Sequence, residues 1–479
     1  MYYVLRKMPP FTPDDANRWE SDFCNAIAKY MDEIIQLVKP TKGTYVSCDG
    51  VVCAAKRKQQ RLRRFKGPWA SAMEARVTGL YSKNLESWDQ TALTPGSAFM
   101  AKLGVVLEEA GRRIQAKQKI AVIVSTCAEP GEGEHKLLAR MRQEKPTSCV
   151  IYGLDADLIL LAMLLGADTG ASVWLLREAQ EFEARGPGSI GWKSLDINAL
   201  VAAMLPDPGH SQIHDFVASM TLLGNDFLPR SLTRTVRDNG IPDLIQVLKK
   251  HVWGTGLRIV GEGGYITVEG LRAVFAAWAA SEEEDMQGVA IEAVTASRRF
   301  HGIGKTPAET ALKEWNSQPA RWATAAKLRG SNWRQVYADW HPGSTSNYLQ
   351  GVAWTWDYYS GRPVDQAWFF EEHLPPLWSD LAADLDQMNQ LARGFIIQPP
   401  PIVYPSPLPD WLHLLAVLPA DSVERLANKQ AKQIMVNLPW YWPTSWSIFD
   451  VGRTQLWECE PVIPILPEKV LRANMAACK

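Results

Sequence analysis

Six carboxylates occupy positions where chains build reactive sites. Asp49 closes the apolar run Thr44–Cys48 in VSCDG, and Asp155 and Asp157 close CVIYGLDAD. On an extended chain, side chains two residues apart project to one side, so this pair can reach a common point. Glu132 and Glu134 lie in PGEGEH, where Gly131 and Gly133 allow a tight bend. A helix is predicted to follow, and its positive end favours acidic groups. Asp226 sits in the turn sequence GNDFLP. Singly, each acid reads equally well as a turn former or helix cap. Together they would repel one another, and desolvating them unpaired is costly. A divalent cation resolves both difficulties. Mg²⁺, with Mn²⁺ as the alternative, takes oxygen ligands and keeps positions open for phosphate oxygens and water. Two ions about 4 Å apart can stabilise the attacking and leaving oxygens of a phosphodiester displacement.

A basic stripe, AAKRKQQRLRRFK, follows Asp49 directly. On a helix, Lys56, Gln60, Arg63 and Arg64 fall at i, i+4, i+7 and i+8, which is one face. The Arg forks bind phosphate oxygens bidentately and the Gln amide adds a donor. The plainer alternative is a solvated basic face or a localisation signal. Beside a metal site, a terminal-phosphate pocket would let an enzyme select chain ends.

The elements that must carry these groups alternate. Strand-like runs at Thr44–Cys48, Ile120–Ser125, Cys149–Leu154 and Ser172–Leu176 are separated by helical patterns at Asp14–Val38, Ala54–Phe65, Ser97–Gln115 and Glu134–Arg142. That predicts an α/β fold, a parallel sheet flanked by helices, with ligands beyond the carboxyl ends of the strands. A helix over His214–Leu223 leads into GNDFLP, residues 281–345 are less patterned, and the Pro-rich stretch at 398–409 cannot be regular helix. At 479 residues the chain needs more than one packed lobe. The divisions expected are 1–235 for the α/β lobe, 236–345 for a helical connection, and 346–479 for a second, mainly helical lobe wrapping the first. The formal net charge is −1, so any nucleic-acid surface is a local patch. No run of about 18 apolar residues predicts a membrane span, and the start lacks a signal-peptide core. Seven scattered cysteines contain no CxxC pair, which argues against zinc and disulfides and for an intracellular, reducing compartment, nucleus or cytoplasm. The twenty tryptophans read mainly as packing.

DGVVCAAKRKQQRLRRF, LTPGSAFMAKL, PGEGEHKLLARMR, YGLDADLILL, WLLRE and DFVASMTLLGNDFLP resemble, in order, signature blocks of the Xrn-type 5′→3′ exoribonucleases. YLQGVAWTWDYYSGRP, LLAVLPADS and IFDVGRTQLWECEPVIPIL are similar to later ones. The resemblance implies a 5′-nuclease (PIN-like) lobe and Mg²⁺-dependent, processive hydrolysis of single-stranded RNA bearing a 5′-monophosphate, releasing mononucleotides in RNA decay or mRNA processing. It implies metal coordination by Asp49, Glu132, Glu134, Asp155, Asp157 and Asp226, and 5′-phosphate binding by Lys56, Gln60, Arg63 and Arg64. Trp368, in DQAWFFEEH, matches the family's aromatic that stacks on the 5′ base, a contact worth about 1–3 kcal/mol. It indicates no particular protein partner.

The start departs from the pattern. Met1 aligns just after a metal-binding aspartate that ends a central strand in the family, and Arg6 stands where a base-stacking histidine is expected. Cys127 also replaces a usual histidine. The expectation is a sheet with a gap beside the strand ending at Asp49, unless Tyr2–Leu5 or another segment fills it. Two competing readings follow: a catalytically weakened or inactive RNA-binding member or fragment of the same fold, and a structure-specific DNA flap nuclease. The basic stripe and the absence of a helix-hairpin-helix signature speak against the second.

Overall fold

The computed structural model describes all residues except 80–87, 154, 180–190, 206–208, 297–303, 317–323, 392–393, 454 and 478–479. The chain is mostly helical around small sheets. In its first part, α1 (Tyr2–Leu5) and α2 (Ala16–Val38) precede β1 (Gly43–Ser47). Then come α3 (Ala54–Thr78), α4 (Ala98–Gln118), β2 (Ala121–Ser125), α5 (Gly133–Glu144), β3 (Ser148–Tyr152), α6 (Asp157–Thr169) and β4 (Ser172–Glu178). β5 (Trp192–Asp196), α7 (Ile197–Met204) and α8 (His210–Met220) follow.

Local sequence explains the main elements. Buried residues of α2 recur every four positions (Trp19, Phe23, Ile27, Met31, Ile35), with Cys24 and Ala28 beside them, the stripe of an amphipathic helix, and the helix ends where Lys39 turns left-handed at φ 53°. Ser97 caps α4 by accepting the Met100 N–H at 3.2 Å. A Cβ on Gly111 would come within 2.9 Å of Val124 Cγ2, so α4 lies directly on β2. α6 is apolar nearly all round and runs through the largest core cluster, which also takes in Phe216, Trp278, Trp354 and Phe370. One core thus joins the α/β part to helices far along the chain.

The sheet is in two pieces. β1 and β2 pair in parallel, Gly43 opposite Ala121 and Ser47 opposite Ser125. β3 pairs in parallel with β4, which pairs antiparallel with β5. No ladder joins β1 to β3 among the described residues. The expected gap beside β1 is therefore present. α1 does not fill it as a strand: it is a single helical turn, with Val4 buried against the α2 core and the Tyr3 ring 4.9 Å from Tyr30. Burial lowers the pKa of the Met1 amino group, opposed by Glu178 at the end of β4 and Cys48 just past β1. The turn thus sits against the ends of both pieces without adding a ladder.

Other expectations need adjustment. β5 makes the second piece mixed rather than purely parallel. α3 runs well past Phe65 despite Pro68, and the less patterned stretch 281–345, within the expected helical connection, contains helices Glu282–Ala296, Pro307–Asn316 and Trp333–Trp340. Residues 398–409 are non-helical, as the prolines require. No helix among the described residues is long and apolar enough to cross a membrane.

Two unpaired parallel edges facing a shared break leave backbone groups without ladder partners. Joining a strand–helix–strand segment that ends in Asp ahead of Met1 is expected to raise the melting temperature by a few degrees. Equal melting temperatures would show that the break costs nothing.

Candidate active site

The acids converge at the carboxyl ends of the strands. The loop after β1 is latched to the loop before α5: Gly50 N–H donates to Gly131 O and Gly131 N–H to Val51 O, both at 2.8 Å. Only glycine fits here, since a Cβ on Gly50 would lie 1.9 Å from Glu129 O and Gly131 has φ +103°. The latch brings Asp49 to the start of α5, where its Oδ1 accepts the Gly133 N–H at 2.7 Å. Glu132 precedes α5 and Glu134 lies in its first turn. Glu132, 4% exposed, accepts Tyr358 OH at 2.7 Å and Lys56 Nζ at 2.6 Å.

Asp155 and Asp157 come together differently from the strand alternation expected of them. β3 stops at Tyr152, and Asp157 is the first residue of α6 with Asp155 in the loop before it. Their closeness comes from a helix start, whose N–H groups favour acids. The Tyr359 hydroxyl donates to Asp157 at 3.3 Å. Asp226 accepts Lys56 Nζ at 2.6 Å and the Gln59 amide, with Arg63 at 3.7 Å.

Charge coupling runs from one carboxylate to the next across the cleft. Glu134 is pushed up to about 9 by burial and then by Glu132, with Asp155 and Asp157 adding to it. Asp157 rises to about 6 through burial, then Asp226 and Asp155. Burial also raises Asp49, against the Gly133 hydrogen bond, although its side chain still opens to solvent in the cleft. Burial alone would lower Lys56, but Glu132 and Asp226 raise it well above the ordinary lysine value. The cleft therefore holds more negative charge than Lys56 offsets. An all-carboxylate donor set with surplus negative charge suits a hard divalent cation. The acids nevertheless stand apart: among the described residues, no three His, Cys, Asp or Glu side chains close on one point as ligands. Lys56 draws two of the six to its ammonium.

The basic stripe divides along α3. Lys56 and Arg63 face Asp226, while Arg64 donates to Gln60 at 3.2 Å and to Thr94 at 2.8 Å. The other cations are structural. Arg57 pairs with buried Glu468, and Arg61 donates to the carbonyls of Ala416, Pro464 and Tyr441. Lys58 caps Phe370 O and Glu371 O. Trp368, expected as a stacking face, is 8% exposed and packs on Trp354 with centroids 5.0 Å apart. Its ring fills the core wall, since Gly351 lets it press close, and little surface remains for a base.

Sequence reasoning missed Gln59, Tyr358 and Tyr359. The tyrosines lie in the quoted YYSGRP stretch, on helix Thr345–Ser360, and only folding brings them to the acids. His135, held neutral by burial that pushes its ring down to about 3, packs on Tyr358 at 4.1 Å between centroids.

Residues 5–179 match the family described as XRN 5'-3' exonuclease N-terminus. The chain is 29% identical over 317 residues to 5'-3' exoribonuclease 2 of Candida albicans, covering 55% of this chain and 31% of the relative. It is 29% identical over 307 residues to 5'-3' exoribonuclease 1 of Saccharomyces cerevisiae, covering 56% and 19%. A similar match to 5'-3' exoribonuclease 2 of Schizosaccharomyces pombe is 29% over 318 residues. The chain thus matches about a third or less of the length of these relatives.

The raised carboxyls give a pH dependence. Unfolded Glu and Asp titrate near about 4.3 and 3.9. From there up to about 6 for Asp157 and about 9 for Glu134, the folded state keeps protons that the unfolded state has lost. Their contribution to stability therefore falls as pH rises from 5 to 9. Melting temperatures without divalent ions should decline over that range, less steeply in Glu134→Gln, and added Mg²⁺ should raise them more at pH 9 than at pH 6. An identical slope in Glu134→Gln would contradict the assigned coupling.

Proposed function

We propose that the chain, whose residues 5–179 match the XRN 5'-3' exonuclease N-terminus, is a divalent-metal-dependent 5′→3′ exoribonuclease of the Xrn type. Its substrate is single-stranded RNA with a 5′-monophosphate, which it shortens to mononucleotides. One observation carries this reading. Lys56 bridges Glu132 and Asp226, and Arg63 reaches the same Asp226 from the next turns of α3. Cations suited to a terminal phosphate, carried on α3, thus stand directly against acids suited to ions.

Asp49, Glu134, Asp155 and Asp157 are the carboxylates left to hold the ions once Lys56 has engaged the other two. Bound Mg²⁺ or Mn²⁺ would supply an activated water and stabilise the leaving oxygen. The chain's own groups do the rest. Arg63, Arg64 and Gln60 offer donors to the terminal phosphate, and a 5′-hydroxyl end would forgo those charge-assisted bonds. The Tyr358 and Tyr359 hydroxyls fix Glu132 and Asp157. Such preorganisation is what makes electrostatic stabilisation effective. A second reading, a binding protein with weakened catalysis, draws support from the acids standing apart and from the broken sheet.

In Mg²⁺, 5′-monophosphorylated RNA should be degraded at least about tenfold faster than 5′-hydroxyl RNA, as expected for the loss of one charged-group contact. Asp155→Ala should lower kcat by about 10²-fold or more with little change in affinity, because lost transition-state stabilisation appears in kcat. Arg63→Ala should instead raise KM for phosphorylated ends. Binding of phosphorylated RNA without turnover in the parent would favour the second reading. Equal rates on both ends would remove the pocket assignment.

A further inference from the structure

Arg453 is 6% exposed, and its Nε is shielded from solvent without a hydrogen-bond acceptor. Among the described residues, no carboxylate stands within ion-pair distance of its guanidinium. Its charge reaches Glu460 only through space, without a close contact, and a buried cation so poorly paired is unfavourable, so its retention needs a reason. The local fold holds it in place. Arg453 N–H closes a turn on Asp450 O at 2.9 Å. Gly452 takes φ +64°, where a Cβ would lie 2.4 Å from Leu232 Cδ2. Arg230 then donates to Gly452 O at 3.1 Å, which brings a second guanidinium to the same turn.

We propose that Arg453 and Arg230 form a second phosphate-binding point, taking an internal phosphodiester of the RNA strand whose 5′ end lies at Lys56 and Arg63. This rests on the exoribonuclease reading given above. The nearby carboxylates have closer partners than Arg453: Glu458 pairs with Arg230 at 3.5 Å and with Arg237, and Glu460, which feels the Arg453 charge, takes His373 at 2.6 Å. The Arg230 pKa is lowered by burial and next by the Arg453 charge, with Glu458 opposing, so the two guanidiniums stand near one another. The point is continuous with the cleft. The loop GNDFLPR carries Asp226 into the cleft and Arg230 four residues later. Arg63 touches Asp226, and the charges of both Arg63 and Arg453 bear on Lys66. Arg63, Arg230, Arg453 and Arg237 therefore gather on the Asp226 side of the cleft, with Glu458 shared by Arg230 and Arg237. Planar forks such as these bind a phosphate through paired donors.

The test is binding of 5′-phosphorylated oligouridylates of three and twelve nucleotides, with Ca²⁺ replacing Mg²⁺, alongside melting temperatures. Arg453→Met should weaken twelve-nucleotide binding about 5–10-fold and lower the salt slope by about one contact. It should leave three-nucleotide binding unchanged. It should also melt no lower than the parent, because an unpaired buried charge is replaced by an apolar chain of similar size. Arg63→Ala should weaken both lengths. If it affects neither while Arg453→Met still acts on the longer one, the end-pocket reading fails and the strand-path inference stands. Unchanged twelve-nucleotide affinity in folded Arg453→Met would overturn the inference. So would a large fall in its melting temperature that Arg453→Lys restores without restoring RNA binding. If inorganic phosphate raises the parent's melting temperature but not the variant's, and RNA length has no effect, the site takes free phosphate and the RNA-backbone assignment is overturned. Should Arg453→Met fail to fold, Arg230→Gln takes its place in the length comparison: weaker binding of the longer RNA alone supports the inference, and unchanged binding overturns it.

Discussion

Repulsion among carboxylates is the constraint on which the arrangement rests. Six of them stand at the ends of β1 and β3, ahead of α5 and α6, and in the loop after α8. The Lys56 ammonium, 2.6 Å from both Glu132 and Asp226, offsets only part of their charge. Glu134 and Asp157 show the remainder as carboxyls that hold protons well above their ordinary range. Such a cluster persists only if the surrounding fold fixes its members in place. The glycine latch between Gly50 and Gly131 and the Gly133 N–H on Asp49 supply that rigidity. The two tyrosine hydroxyls of helix Thr345–Ser360 add to it.

That helix shows why residues far along the chain matter to a site built near its start. α3 is held from behind by the final segments. Arg57 pairs with Glu468 where both side chains are almost fully buried, and breaking such a pair typically costs about 3–5 kcal/mol. Arg61 is sheathed by three carbonyls and lies over the Phe65 and Trp442 rings. With that side fixed, Lys56 and Arg63 are left facing the cleft. The catalytic reading and the packing of the second region thus depend on one helix.

Much of this was legible in the residues. The strand runs ending near Asp49 and Asp155, the helix following Glu132, and the spacing of Lys56 and Arg63 each reflect local periodicity or turn chemistry that sequence exposes. The break between β1 and β3 also agrees with the gap expected there. What the sequence concealed was tertiary. A run of cations and glutamines does not reveal which members meet carbonyls and which meet carboxylates, so Arg57, Lys58 and Arg61 could not be separated from Lys56 and Arg63. Trp368 carries no sign that Gly351 leaves room for its ring inside the core. Asp155 and Asp157 looked like a strand pair because the strand's end at Tyr152 depends on where α6 docks.

The central claim is that these carboxylates form an ion site. Counting bound Mn²⁺ by its paramagnetic resonance tests it most directly. The account predicts up to two tightly bound ions per chain, and loss of most of that binding when Asp155 and Asp157 are both changed to Asn. A parent chain that leaves Mn²⁺ free, or a double variant that binds it as well as the parent, would contradict the account.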